Sequence, residues 1–298
     1  VVQGTTTLIG TAGSPTALRV MGNIDNTAGS VPPKLLSSTV FGNAPQSSRV
    51  VGSYAYLVNT GSSSISVIDI TNKLAPEEVS FILLDAQPFS VEIAGNYAYV
   101  AKGNATLSVI DISNPHLLAE VAVMSTAGNT PYFLEINSNY LYINNFTEQT
   151  ISVVDIANPR SPRVVGEVSV PGNPEGGYVI GKYLYVTTST GAGDLSVIDI
   201  SNPSRPVLVS SVNLGGGPVS VAVSGRYAYV TQVTDGKFSV VDISDPASMA
   251  VVSSSTSLAA PRYVAVSGRY AYTANSSGGT VSVLDISDPS NPNVLFNV

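Results

Sequence analysis

Leu195-Ser196-Val197-Ile198-Asp199-Ile200-Ser201-Asn202-Pro203 is the stretch whose reading decides the fold. The pattern apolar-Ser-Val-aliphatic-Asp-Ile occurs six times, with its aspartates at Asp69, Asp111, Asp155, Asp199, Asp242 and Asp285. The gaps between them are 42, 44, 44, 43 and 43 residues, a period at which one four-stranded sheet is written out again and again. Working outward from one copy shows the sheet. Residues 218–225 alternate with period two and end at Gly225, 226–230 carry Tyr227 and Tyr229, 237–243 carry the motif, and 249–254 read Met-Ala-Val-Val-Ser-Ser. Four strands in about 43 residues make a propeller blade.

The other periodic residues read as scaffold. Tyr-x-Tyr recurs as Tyr54/Tyr56, Tyr97/Tyr99, Tyr140/Tyr142, Tyr183/Tyr185, Tyr227/Tyr229 and Tyr270/Tyr272, and large rings with a polar tip packed between blades explain it better than an aromatic ligand platform does. After the motif comes Asn-Pro or Asp-Pro, in which the Asx side chain bonds its own backbone and proline presets φ. Six aspartates spaced one per blade lie too far apart to share an ion, so they are expected to brace turns and no metal site is expected.

Residues 1–43 align with the same plan less well, with Thr6 and Leu8 where the tyrosines belong and almost nothing in the place of the first strand. The expectation is a single domain over 1–298, an all-β seven-bladed propeller of four-stranded antiparallel blades with a degenerate first blade. The units are 1–43, 44–86, 87–130, 131–173, 174–216, 217–259 and 260–298. An incomplete first blade invites completion by a strand from another chain. The chain opens Val1-Val2-Gln3 with no charged-then-apolar leader, and the expectation is that any signal peptide or anchor has been removed or was never there.

Tyr-x-Tyr-Val, a Gly-rich loop and then the run 195–209, Leu-Ser-Val-Ile-Asp-Ile-Ser-Asn-Pro-Ser-Arg-Pro-Val-Leu-Val, resemble the LVIVD repeat, which is akin to the YVTN repeat of surface-layer propellers. The resemblance covers 44–298 well and 1–43 poorly. It implies a propeller of bacterial, archaeal or viral surface type without an assigned enzymatic activity, and it offers no catalytic residues to carry over.

Charge narrows the partners. Charged residues are 11% of the chain and the formal net charge is −7, against about 25% charged in ordinary soluble domains. The thirteen Lys and Arg are scattered, so no basic stripe exists to neutralise a phosphate backbone and nucleic acid is not an expected partner. No apolar run reaches the roughly 20 residues of a membrane-spanning helix, and no membrane insertion is expected. With no Cys and one His, His116 in a turn, thiol catalysis and a typical zinc site are excluded. No cofactor is expected either. The sequons at Asn104, Asn145 and Asn275 fall in the loops of the more variable face.

Function, where it shows at all, shows in departures from the period. Loops entering the innermost strands, and those between second and third strands, emerge on one face and vary, while the opposite face repeats the Asn-Pro turn. On the variable face Phe89, Tyr132, Phe146, Tyr178, Arg262 and Tyr263 are the expected contact residues, because aromatics and Arg dominate interface energetics. Three residues before each innermost-strand turn stand Arg49, Glu92, Glu135, Tyr178, Ala222 and Ala265. The alanines show the default; Arg49, Glu92 and Glu135 form a polar cluster expected at the central channel. A pair of carboxylates could bind a cation or act as acid and base at roughly 5–9 Å separation, but an Arg-bridged polar patch explains the cluster better. The expected function is a non-catalytic structural or interaction module on an extracellular, cell or virion surface, binding a protein partner or its own copies. A carbohydrate-binding adhesin is the alternative, and a hydrolase or lyase using Glu92 and Glu135 is a weaker one.

Overall fold

Strands with apolar residues in both phases of the alternation can only bury both faces by stacking sheet on sheet. The computed structural model describes residues 41, 43–126, 130–190, 193–256 and 258–298, together with the strands Val2–Gln3, Thr6–Gly10, Leu18–Gly22 and Lys34–Thr39. From residue 45 onward the chain makes six four-stranded antiparallel sheets, each running from innermost to outermost strand in sequence order. Blade one, for example, is Pro45–Val51, Tyr54–Asn59, Ser64–Asp69 and Glu77–Leu83. Blades two to six begin at the innermost strands Pro88–Ala94, Pro131–Asn137, Pro174–Ile180, Pro218–Ser224 and Pro261–Ser267.

The expected seven blades, the first degenerate, are corrected to a six-bladed propeller. Residues before 44 add four short strands paired in chain order, but the first ladder holds only the pairs Val2↔Thr7 and Gln3↔Thr6. This sheet lacks the Tyr-x-Tyr wedge and the Asp-Ile turn that build the other six. Its first strand approaches Pro261–Ser267 and its second approaches Pro45–Val51, which places it at the seam between blades six and one. The side chains of Thr6 and Leu8 lie outside the described residues.

Within blades the second and third strands are buried almost throughout, while the outermost strand alternates between exposed and half-buried. The second tyrosine of every pair is buried, Tyr99 and Tyr142 among them, and burial pushes those two phenols up to about 12, with the neighbouring Tyr97 and Tyr140 contributing. Core clusters run from blade to blade: Tyr56, Val58, Ile65 and Val67 of blade one pack on Val91, Val100 and Ile110 of blade two.

The repeat aspartates brace turns as the sequence implies. Asp69, Asp111, Asp155, Asp199, Asp242 and Asp285 each accept a backbone N–H two residues on, at 2.7–3.0 Å. A second device joins neighbouring blades. Ser80, Ser210 and Ser253 on outermost strands donate their hydroxyls to the carbonyls of Pro115, Pro246 and Pro289 at 2.5, 2.7 and 2.8 Å. Ser37 of the seam sheet does the same to the Lys73 carbonyl at 2.8 Å. His116 is exposed in its turn and stands edge-on to the Tyr54 ring, with centroids 6.3 Å apart.

Candidate functional site

Each innermost strand begins with proline on the variable face and runs down the channel to its turn. Residues early in these strands therefore surround the channel mouth, and residues five positions in surround its lower part. At the mouth Phe89 of blade two and Tyr132 of blade three pack with ring centroids 5.6 Å apart and planes tilted by 42°, and Tyr132 meets Phe146 at 5.3 Å. Phe89 and Tyr132 of this three-ring shelf line a hollow of ≈ 90 Å³ together with Gln46, Glu175, Arg262 and Tyr263. Burial raises the Tyr132 phenol, as does the Glu175 charge, while Arg262 and a hydrogen bond with Gln46 act the other way. Glu175 is itself raised by burial, against a hydrogen bond with Ser189 and the charge of Arg262. Arg262 is exposed.

Lower down, Arg49 of blade one donates a hydrogen bond to the Glu92 carboxylate of blade two, an ion pair with side chains 17% and 10% exposed. Glu135 of blade three belongs to the same group but accepts no hydrogen bond from Arg49. Desolvation of Glu135 raises its pKa well above the usual carboxylate range; the Glu92 charge adds to this and Arg49 opposes it. Tyr178 is raised by burial and by Glu135, and Tyr263 by burial, with Arg49 opposing and both carboxylates contributing. These five side chains line a cavity of ≈ 360 Å³ whose other wall is Val221, Ala222, Val264 and Ala265.

The structure thus sorts the expected residues into two levels. Phe89, Tyr132, Phe146 and Arg262 gather at the mouth, Arg49, Glu92 and Glu135 gather below, and Tyr263 touches both cavities. Tyr178, expected among the face contacts, lies in the lower group. Gln46, Phe133 and Glu175 were not singled out from the sequence; each stands one to three residues after the start of an innermost strand, and that register was the available signal. The paired-carboxylate reading meets two unequal groups, one ion-paired and one alone. Two of the three sequons are closed: Asn145 and Asn275 are buried on strands, donating to Ser152 at 2.8 Å and Ser282 at 2.7 Å, whereas Asn104 is exposed. Among the described residues no three His, Cys, Asp or Glu stand together as metal ligands.

Fold and channel together define a repeat β-propeller. The LVIVD repeat model matches residues 44–82, 87–126, 134–170, 175–214, 215–256 and 261–298, and the chain belongs to that family. No curated protein matches. Among solved structures the chain is similar to the Pseudomonas aeruginosa periplasmic gluconolactonase PpgL, with a TM-score of 0.84 and 18% identity over 98% of this chain and 95% of that one. It is also similar to Kuenenia stuttgartiensis hydrazine synthase, with a TM-score of 0.75 and 21% identity over 95% and 93%. The computationally designed Ika8 protein matches with a TM-score of 0.68 and 12% identity over 100% and 85%. Structural neighbours therefore include enzymes, and at these identities the likeness shows the fold alone.

Proposed function

We propose that this propeller is a non-catalytic interaction module on an extracellular, cell or virion surface, presenting the loop-bearing face and its channel mouth to a protein partner. The observation that carries the reading is the Phe89–Tyr132–Phe146 shelf, contributed by two successive blades and open beside Arg262 and Glu175. Aromatic rings and arginine at the centre of a polar-rimmed face are the composition of an interface hot spot. Size favours a partner's side chain over a substrate, because ≈ 90 Å³ falls short of the roughly 300–1,000 Å³ of small-molecule sites. The low content of charged side chains favours the surface setting, since few ions must be desolvated on association.

A photocrosslinking phenylalanine analogue placed at Phe146, and in parallel at the exposed Leu295 on the outermost strand of blade six, tests this on the native assembly or surface. A discrete crosslinked species from position 146 alone, lost with Tyr132→Ala, is the expected outcome. Equal products from both positions would sink the reading. Carbohydrate is the second reading, favoured by Tyr132 lying beside Gln46, Glu175 and Arg262, a ring face with hydrogen-bonding groups around it. A glycan-array signal abolished by Tyr132→Ala would select it over the protein partner.

A further inference from the structure

The lower channel is built differently from the mouth. Its ≈ 360 Å³ is within the range of sites that enclose small molecules, and its walls divide by chemistry. Blades three and four carry Glu135 and Tyr178; blades five and six supply an apolar surface around Ala222 and Ala265, with Tyr263 two residues before Ala265 on the same strand. The charge balance is uneven. Arg49 bonds Glu92, a pair that is neutral as a unit, so Glu135 is left as one uncompensated acid turned toward the cavity without a hydrogen bond to another described side chain. Glycine keeps space beside it: a Cβ at Gly177 would stand 3.4 Å from the Glu135 Cγ and 3.4 Å from Leu184. A half-buried carboxyl that is largely desolvated and without a partner is costly, and such groups are found where a ligand supplies the partner.

We propose that this cavity binds a compact organic monocation, an ammonium group on an aromatic or branched apolar body, with the Glu135 carboxylate as its counter-ion. The ammonium meets the single free carboxylate, the phenol rings of Tyr178 and Tyr263 offer faces and oxygens to a cation, and the valine and alanine wall takes the apolar body. A divalent metal fits poorly, because it needs several oxygen ligands and Glu92 is already engaged by Arg49. Anions face an acid. The titratable groups turned toward Glu135 are Arg49 from blade one, Glu92 from blade two, Tyr178 from blade four and Tyr263 from blade six, while blade five presents only Val221, Ala222 and Val223. Since burial and Glu92 favour the protonated acid, cation binding displaces a proton, and affinity rises with pH until Glu135 is ionised in the free protein.

The test is calorimetric titration of the whole chain with phenethylammonium, with phenethyl alcohol as the neutral analogue of nearly the same shape. Saturable 1:1 binding of the amine is expected, at least about tenfold weaker for the alcohol and for Glu135→Gln, which changes charge and almost nothing else. Ala265→Leu, which fills the cavity from the opposite wall, is expected to abolish binding while leaving the circular dichroism spectrum unchanged. Tightening with pH and proton release, read from buffers of different ionisation heat, complete the expectation. No saturation up to about 10 mM amine, equal binding by the alcohol, or full binding by a folded Glu135→Gln protein overturns the proposal.

Discussion

Replacing Arg49 with methionine keeps the length of the side chain and removes the one cation that, among the described residues, faces Glu92 and Glu135. The Arg49–Glu92 pair is largely enclosed, with side chains 17% and 10% exposed, and removing one partner of such a pair costs about 3–5 kcal/mol, because the other charge stays buried without compensation. Residual contact with the channel places this site at the lower end, about 3 kcal/mol. At roughly 2–4 °C per kcal/mol for a domain somewhat smaller than this one, the melting temperature should fall by about 6–12 °C. The loss must also depend on pH. Arg49 is the influence that lowers Glu135, against burial and Glu92, so without it the folded-state pKa of Glu135 rises further. An acid raised in the folded state binds more protons there than in the unfolded chain, so stability falls as pH rises from the unfolded value of about 4.3 toward the folded one. Thermal unfolding followed by circular dichroism at pH 5 and pH 8 should therefore show the larger deficit at pH 8. A fall under about 2 °C at pH 8, or equal deficits at both values, would refute the reasoning about this pair.

The scaffold gives further tests. Gly166→Ala on the outermost strand of blade three would set a Cβ 2.3 Å from the Pro203 carbonyl oxygen, a backbone clash that should cost about 1–3 kcal/mol; an unchanged guanidinium midpoint would contradict the contact. Ser253→Ala strips the Pro289 carbonyl of its hydroxyl donor and should cost about 1 kcal/mol in the same assay, with no loss meaning that water takes the donor's place. Asp285 is held down to about 2, first by its hydrogen bond from Arg269, against desolvation, and further by Ser287 and the Arg269 charge. A carboxyl carbon titration should find its midpoint there, below the other repeat aspartates, and Arg269→Ala should move it up. Because this acid is depressed in the folded state, its contribution is present above about pH 3.9 and is lost as pH falls through about 2.

The parts of the fold that repeat were the parts legible in the sequence. Asp199 could be read as a turn brace and Tyr185 as an inter-blade wedge, because six copies of each at one period leave geometry as the only common cause, and both stand so in the structure. The blade count did not follow from the same logic. Strand-like alternation before residue 44 was enough to suggest a blade, yet alternation only permits a sheet, whereas the tyrosine wedge and Asp-Ile turn that make a unit of this propeller are missing there. The sequons failed for a related reason. Asn145 and Asn275 end second strands, where neighbouring Ser and Thr hydroxyls absorb their amides, and a three-residue pattern carries no information about that burial. Depth in the channel was legible only through register: counting back from the turn placed Glu92 and Glu135 together, while Tyr178, taken for a face residue, stands on the same count and lies at the same level.

The distribution of departures carries the last step. A ring of repeats has one place where every blade contributes an equivalent strand to a shared space, and there identical residues would be crowded by symmetry. Small residues answer the crowding in blades five and six, with Ala222 and Ala265 lining the cavity, and Gly176 of blade four answers it more severely, since a Cβ there would stand 2.6 Å from the Val219 carbonyl oxygen. Blades one to three instead place Arg49, Glu92 and Glu135 at the level of those alanines. Packing alone does not call for this asymmetry: alanine serves the same position two blades away, and a buried ion pair is at best neutral against an apolar replacement of similar size. If the polar half of the channel existed only to stabilise the ring, a triple replacement of Arg49, Glu92 and Glu135 by alanine or methionine would lower the melting temperature and leave binding in the channel unchanged. The expectation is a protein of undiminished melting temperature that has lost amine binding in the lower channel, and retention of that binding would show that the three charged residues are scaffold after all.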